Sequence, residues 1–385
     1  AVDPQMFEWV NLTFDLDPVP PHGLNAIMFR PGEDPGYPLP EGKLTDKEIA
    51  AWLESFVDKL AEEDKFSGAV LVAKNGWPFF TKAVGQASQR FNVPNKIDTK
   101  FNLGSANKMF TAIAVARLAQ EGKLSFDDTV VKHLPDYPNR EVAEKVTIYH
   151  LLTHTSGLES YWAAGADKGW VSIRTVAEIC SLFVHDSLLF EPGERFHYSN
   201  SGPIVLGLII ERITGTDYCE YVRKNIYEPA GMTNTDCYEM DLPIPNLAIG
   251  YTKAEHNQGD SPYARKNNLF SHTVKGGPAG GGFSTVEDLL KFANALNLYK
   301  LLDSEYTEIV TTGKVEMGPE EKYGYLFGER FPGGHRAIGH NGGAPGINAF
   351  FETLPDLGYT VAVLSNYDPP AAETVGSKII KLVTR

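Results

Sequence analysis

Apolar residues recur at helical spacing at Ile49, Trp52, Leu53, Phe56, Val57 and Leu60. Thr45-Asp46-Lys47-Glu48 stands in front of them as a capping box. The stretch therefore predicts a helix whose stripe is core packing. Residues 69–74 and 77–84 then flank Asn75-Gly76, a dipeptide that accepts the positive φ angles of a tight hairpin turn. Residues 109–119 (MFTAIAVARLA) are apolar nearly all round and read as a buried helix closed by Glu121-Gly122. From Ser125 to about Gly277 helices and loops dominate, with a helix over 204–213 and turns at Pro135, Gly157, Gly193, Gly215 and Gly231. Strand patterns return at 346–353 and 359–365, joined by Leu354-Pro355-Asp356-Leu357-Gly358, and a helix over 371–383 ends the chain. No internal repeat is visible.

The order helix, hairpin, helical insert, hairpin, helix predicts an α+β fold. Its antiparallel β-sheet, flanked by helices, is completed by both chain ends, with an all-helical lobe inserted in the middle. The expected division is an α/β lobe from 44–124 and 278–385, and a mainly helical lobe over 125–277. Residues 1–43, rich in Pro, Gly and acidic residues, read as an N-terminal arm or the remnant of an upstream segment.

Composition narrows the function classes. With 385 residues, 42% of them hydrophobic, the chain can bury a large core in one or two lobes. Its 35 basic and 49 acidic residues leave a formal charge of −14, which argues against nucleic acid or an anionic membrane as partner. No apolar run approaches the roughly 20 residues of a membrane span. Cys180, Cys219 and Cys237 are too few for a disulfide framework, although one pair could bridge, and they do not resemble a metal site. Ala1 at the start and no visible signal peptide leave export, to the periplasm or medium, and the cytoplasm both open.

The candidate chemistry begins at Ser105-Ala106-Asn107-Lys108. Positions i and i+3 share a helix face, so a hydroxyl and an amine can meet there without any long-range contact. A Ser hydroxyl needs a partner to take its proton, and a Lys in a low-dielectric pocket can lose its charge and serve. Downstream, the turn Glu191-Pro192-Gly193-Glu194 leads to Tyr198-Ser199-Asn200, a phenol and a carboxamide two residues apart and suited to one cleft. Ile338-Gly339-His340-Asn341-Gly342-Gly343 then joins a strand-like run to glycine-rich backbone that a ligand can approach closely; taken alone it would be a bulge or hairpin corner. His150 and His154, four residues apart, could share a metal, but no Glu follows His150 and no third ligand is evident, so they read as histidines at a helix end. No Gly-x-Ser-x-Gly elbow is present.

Ser-x-x-Lys, Tyr-x-Asn and a basic residue-x-Gly, in this order, resemble the serine β-lactamase and penicillin-binding-protein superfamily. The chain is most similar to its class C-like branch, with DD-peptidases, D-aminopeptidases and β-lactamase-related esterases. The runs 151–158 (LLTHTSGL), 122–128 (GKLSFDD) and 280–284 (GGGFS) fall where that branch has them. The resemblance covers about residue 44 to the end. It implies that Ser105 forms an acyl-enzyme on a small ester, amide or peptide, with no cofactor and no metal. Lys108 and Tyr198 would share the proton work. Asn200 would bond the acyl side and steady Lys108, and the N–H groups of Ser105 and Gly343 would hold the oxyanion.

The departure lies at the third motif, where His340-Asn341-Gly342 replaces the Lys-Thr/Ser-Gly of β-lactamases. A mostly neutral His and an Asn without a hydroxyl give a carboxylate little to hold, which argues against an efficient β-lactamase. A carboxylesterase or acyl hydrolase is the expected activity. A D-aminopeptidase or DD-carboxypeptidase, and a penicillin-binding sensor that acylates without turnover, are the alternatives.

Overall fold

The computed structural model describes residues 10–16, 24–31, 37–162, 169–253 and 265–385. Its frame is a nine-stranded antiparallel sheet. In chain order the strands are β1 (Gly68–Lys74), β2 (Trp77–Val84), β3 (Val315–Gly318), β4 (Glu321–Tyr323), β5 (Gly328–Arg330), β6 (Ala337–Gly339), β7 (Gly342–Ala344), β8 (Ile347–Leu354) and β9 (Tyr359–Ser365). Across the sheet the order is β3-β4-β5-β6-β8-β9-β1-β2, and β7 also pairs with β8. The two ends of the chain thus meet at the β9–β1 pairing, where Val361 faces Val72. The β1–β2 hairpin turns at Asn75 and Gly76, both with positive φ (52° and 82°), as the dipeptide predicts.

Alternation along the central strands sorts side chains into two cores. On one face Val70, Val72, Phe350, Val361 and Val363 pack with helices α1 (Asp46–Glu62) and α5 (Ala371–Val383). The capping box is formed: Thr45 caps the Glu48 N–H, and Glu48 returns to the Thr45 N–H. The expected stripe is buried at Ile49, Leu53, Phe56, Val57 and Leu60, with Trp52 stacked on Phe56 at 4.6 Å.

On the other face Ala69, Leu71, Ala349, Phe351, Ala362 and Leu364 share one core with α2 (Lys108–Gln120), α3 (Ser201–Thr214) and α4 (Val286–Asn297). Nearly every residue of α2 is buried, which is why it lacks an amphipathic pattern. The helical residues between 125 and 277 therefore share their core with the inner face of the sheet.

Cys219 and Cys237 are joined in a disulfide with their Cα atoms 5.9 Å apart, and Cys180 is free and buried. Of the expected arm, Val10–Leu16 and Leu24–Pro31 form a two-stranded antiparallel ribbon. Its segments 1–9, 17–23 and 32–36 lie outside the described residues. Among the described residues no helix is long and apolar enough to cross a membrane, and no cluster of three His, Cys, Asp or Glu could hold a metal.

Candidate active site

Ser105 lies one step short of the expected helix. It sits in a single 3-10 turn, Gly104–Asn107, that feeds into α2 at Lys108. Three stretches clamp this turn. Leu103 N–H donates to Gly282 O at 2.8 Å, and Asn102 Oδ1 accepts from Gly104 N–H at 2.9 Å. A Cβ on Gly342 would stand 1.9 Å from Leu103 O and 2.9 Å from Ser105 N, and one on Gly280 would stand 2.9 Å from Gly104 O. The glycines of the third motif and of the 280–284 run thus let two backbone segments close on the Ser105 turn. Gly343 N belongs to the same contact, 3.0 Å from where a Gly104 Cβ would lie.

Lys108 is fully buried, and its Nζ meets three oxygens: Ser105 Oγ at 3.0 Å, Asn200 Oδ1 at 2.7 Å and Ala279 O at 2.6 Å. Burial without a carboxylate partner lowers its pKa from 10.5 to about 7. Asn200 Oδ1 and Ala279 O can only accept. When Lys108 is neutral, its two N–H bonds are taken by these oxygens and its lone pair is left facing the Ser105 hydroxyl.

Tyr198 brings its ring over Lys108, with Nζ 5.0 Å from the centroid, and packs on His154 at 4.4 Å. The residue is partly exposed, but desolvation raises the pKa of the phenol above the ordinary value, against a smaller lowering by a hydrogen bond with Ser105. The phenol therefore holds its proton at rest. Asn200 Nδ2 donates to Ser160 Oγ at 3.3 Å, which fixes the amide with its oxygen toward Lys108.

The third motif is arranged differently from a carboxylate clamp. His340 Nδ1 lies 2.5 Å from Asn341 O, and Nε2 lies 2.9 Å from Tyr323 Oη. Tyr323 Oη is also 3.1 Å from His154 Nε2, and His154 Nδ1 accepts from Ser199 N–H at 3.3 Å. The fixed polarity of the two backbone ends assigns every proton between them. His154 Nε2–H donates to Tyr323 Oη, the Tyr323 hydroxyl donates to His340 Nε2, and His340 Nδ1–H donates to Asn341 O. Both imidazoles are neutral. Burial, aided by the nearby Lys108 charge, takes His340 down to about 3, and His154 falls well below its ordinary pKa for the same reasons.

This chain of bonds ties the Tyr198-Ser199-Asn200 loop to the third motif. Sequence reasoning missed Tyr323 altogether and gave His154 no part beyond that of a histidine at a helix end. His150 does serve that way, capping Thr147 through Nδ1 at 3.2 Å. His154 also stands at this helix end, just past the C-cap Thr153, and its φ of +55° is the left-handed conformation of that position, closed by Thr155 N–H donating to His150 O at 3.0 Å; its ring is used in the chain of bonds as well.

A cleft of about 250 Å³ opens at this place, lined by Ser105, Tyr198, Asn200 and Gly343 together with Tyr161, Trp162 and Ile347. Lys108 lies behind Ser105. His340, Asn341 and Gly342 are not among the lining residues, and the Asn341 Oδ1 atom is buried with no hydrogen-bond partner among the described residues.

Residues 53–384 match the Beta-lactamase family. The chain belongs to that family. Penicillin-binding protein 4* of Bacillus subtilis (strain 168) is 30% identical over 329 residues, 82% of this chain and 71% of that protein. The chain spans about two thirds of the length of the curated relatives it matches. Among solved structures, a penicillin binding protein from Bacillus halodurans superposes with a TM-score of 0.76 at 33% identity, over 84% of this chain and 98% of that one. A D-stereospecific amidohydrolase from Streptomyces sp. does so with a TM-score of 0.72 at 26% identity, over 86% and 97%. The β-lactamase family thus includes hydrolases among the neighbours of this chain, and its mixed α/β fold with an antiparallel sheet is the one described above.

Proposed function

We propose that this protein is a serine acyl hydrolase that forms an acyl-enzyme on Ser105, with esters as its foremost substrates. The observation that carries the reading is Lys108 Nζ at 3.0 Å from Ser105 Oγ, with its pKa brought to about 7. A base poised near the working pH is what proton abstraction from a hydroxyl requires.

Ser105 Oγ attacks the carbonyl carbon as its proton passes to Lys108 Nζ. The oxyanion is received by the N–H groups of Ser105 and Gly343; loss of one such donor typically costs about 10²–10³ in rate. Tyr198, protonated at rest, gives its proton to the leaving group and recovers one from Lys108. Water then enters and attacks the acyl carbon as it loses a proton along the same route, the bond to Ser105 Oγ breaks, and that proton returns to Oγ as the acid is released.

The neutral His340 supports esters over substrates with a carboxylate to anchor. Both of its ring nitrogens are committed, and its pKa of about 3 denies the third motif a cation at any working pH. β-Lactams and peptides with a free C-terminal carboxylate are accordingly poor substrates in this reading.

The test follows hydrolysis of a short p-nitrophenyl ester by the wild type and by Ser105→Ala, with a D-alanyl p-nitroanilide in parallel. Ester turnover that vanishes with Ser105 is the expected result. Turnover surviving in Ser105→Ala would overturn the reading. Anilide cleavage would move the substrate class to D-aminoacyl amides, and one burst of product followed by silence would make the protein a sensor.

A further inference from the structure

Gly342 and Gly343 share a peptide unit, so the carbonyl of the first and the N–H of the second lie at opposite ends of one planar group. The N–H is one of the two donors that receive the oxyanion in the reaction above. The carbonyl meets Asn348 Nδ2 at 3.0 Å. Asn348 stands on β8 across from Gly343 in the β7–β8 pairing, and it is fully buried.

The other end of its amide is held too. Asn348 Oδ1 accepts from Ala372 N–H at 2.6 Å and from Glu373 N–H at 3.3 Å, both in the first turn of α5. These partners fix which end of the amide is which, because an N–H only donates and a carbonyl only accepts. Helix α5 starts behind Pro370, whose side chain has no oxygen to cap it. Asn348 thus caps the helix from a neighbouring strand. Capping uses only Oδ1, and an Asp or a Ser can supply such an oxygen. What the carboxamide adds is a donor aimed at Gly342 O.

We propose that Asn348 is a positioning residue of the oxyanion site, which holds the 342–343 peptide by its carbonyl and thereby aims and strengthens the Gly343 N–H. This rests on the serine-hydrolase reading above. From α5 through the Asn348 amide to the glycine peptide, every hydrogen bond points the same way. Each polarises the next, and the positive end of the helix dipole stands at the start of the series.

The test uses p-nitrophenyl acetate and its thiono analogue, in which sulfur replaces the carbonyl oxygen. Sulfur is the weaker hydrogen-bond acceptor. Donors at the oxyanion therefore favour the oxygen ester beyond the ratio of the two in alkaline hydrolysis, whereas a general loosening of the site slows both esters alike. Asn348→Leu and Asn348→Val cannot donate to Gly342 O. In each, kcat/KM for the oxygen ester should fall by about tenfold to a hundredfold, less than for outright loss of a donor. The preference for oxygen should fall with it, by about threefold or more, as for one weakened hydrogen bond.

A wild-type preference no larger than in alkaline hydrolysis overturns the proposal, even if neither variant folds. So does a folded variant that keeps the wild-type kcat/KM, or one that loses it with the preference for oxygen unchanged. Failure of the serine-hydrolase reading is seen separately, as turnover of either ester by Ser105→Ala.

Discussion

At the scale of single residues, the site is a question of who holds which proton. Lys108 is the one group near Ser105 whose pKa falls near neutrality, while Tyr198 is pushed upward and both His154 and His340 are pushed down. The ascending limb of kcat/KM against pH should therefore lie near pH 7 and belong to Lys108. Tyr198→Phe is expected to cost about a hundredfold or more, as for an acid–base group, and to leave that limb in place. A limb that disappears with Tyr198 would make the phenol the base. The same shift links to stability. Unfolded, Lys108 keeps its proton up to about 10.5 and folded only to about 7, so the unfolded state binds more protons between these values and stability rises with pH across that window. Lys108→Met should remove this part of the slope, read as denaturation midpoints from pH 7 to 10. Tyr323→Phe takes the central donor from His340 Nε2 and strands the ring. A loss of about 1–3 kcal/mol in stability is expected, with activity reduced because the Tyr198 loop loses its tie to the third motif.

At the scale of elements, the long periodic segments were legible and the short ones were not. The capping box with its stripe, the Asn-Gly hairpin, the strands at 359–365 and the helix at 371–383 all carry local signals, and they stand where those signals put them. Strands β3 to β7 are three or four residues long, too short for a period of two to register, and they exist because each has a neighbour to pair with. In the site the three motifs were visible because each is local. The His154–Tyr323 contact joins residues 169 apart, and the left-handed backbone at His154 leaves no mark on composition. Glycines show the same contrast. Gly342 reads as a bulge, yet what demands it is the Ser105 turn lying against it. Gly342→Ala should displace that turn and lower kcat/KM by about a hundredfold or more, the sensitivity expected when a reacting group moves by an ångström. Gly328→Ala, whose Cβ would meet nothing nearer than Gly339 O at 3.5 Å, should leave activity within about twofold. Equal effects at the two positions would remove close approach as the reason for Gly342.

At the scale of the whole molecule, the sheet separates two tasks. Helices α1 and α5 cover the face away from Ser105, while α2, α3 and α4 share the other face with the Ser105 turn. On that second side the packing reaches the chemistry directly. The strand Phe283–Ser284 pairs with Phe101–Asn102 just before the turn and runs straight into the N-cap of α4 at Thr285. Fully buried residues of equal rank in the two cores should therefore behave differently when truncated. Ile379→Ala in α5 and Leu289→Ala in α4 each open a cavity in a core and should each cost about 2–5 kcal/mol. Ile379→Ala is expected to lower the melting temperature and leave kcat/KM unchanged at temperatures where the protein is folded. Leu289→Ala should lower both, because the relaxation it permits travels along the Phe283–Ser284 strand to Asn102 and the Ser105 turn. If Ile379→Ala reduced kcat/KM as much as Leu289→Ala, the sheet would be transmitting strain rather than isolating the site. The placement of Ser105 on one side of it would then carry no mechanical meaning.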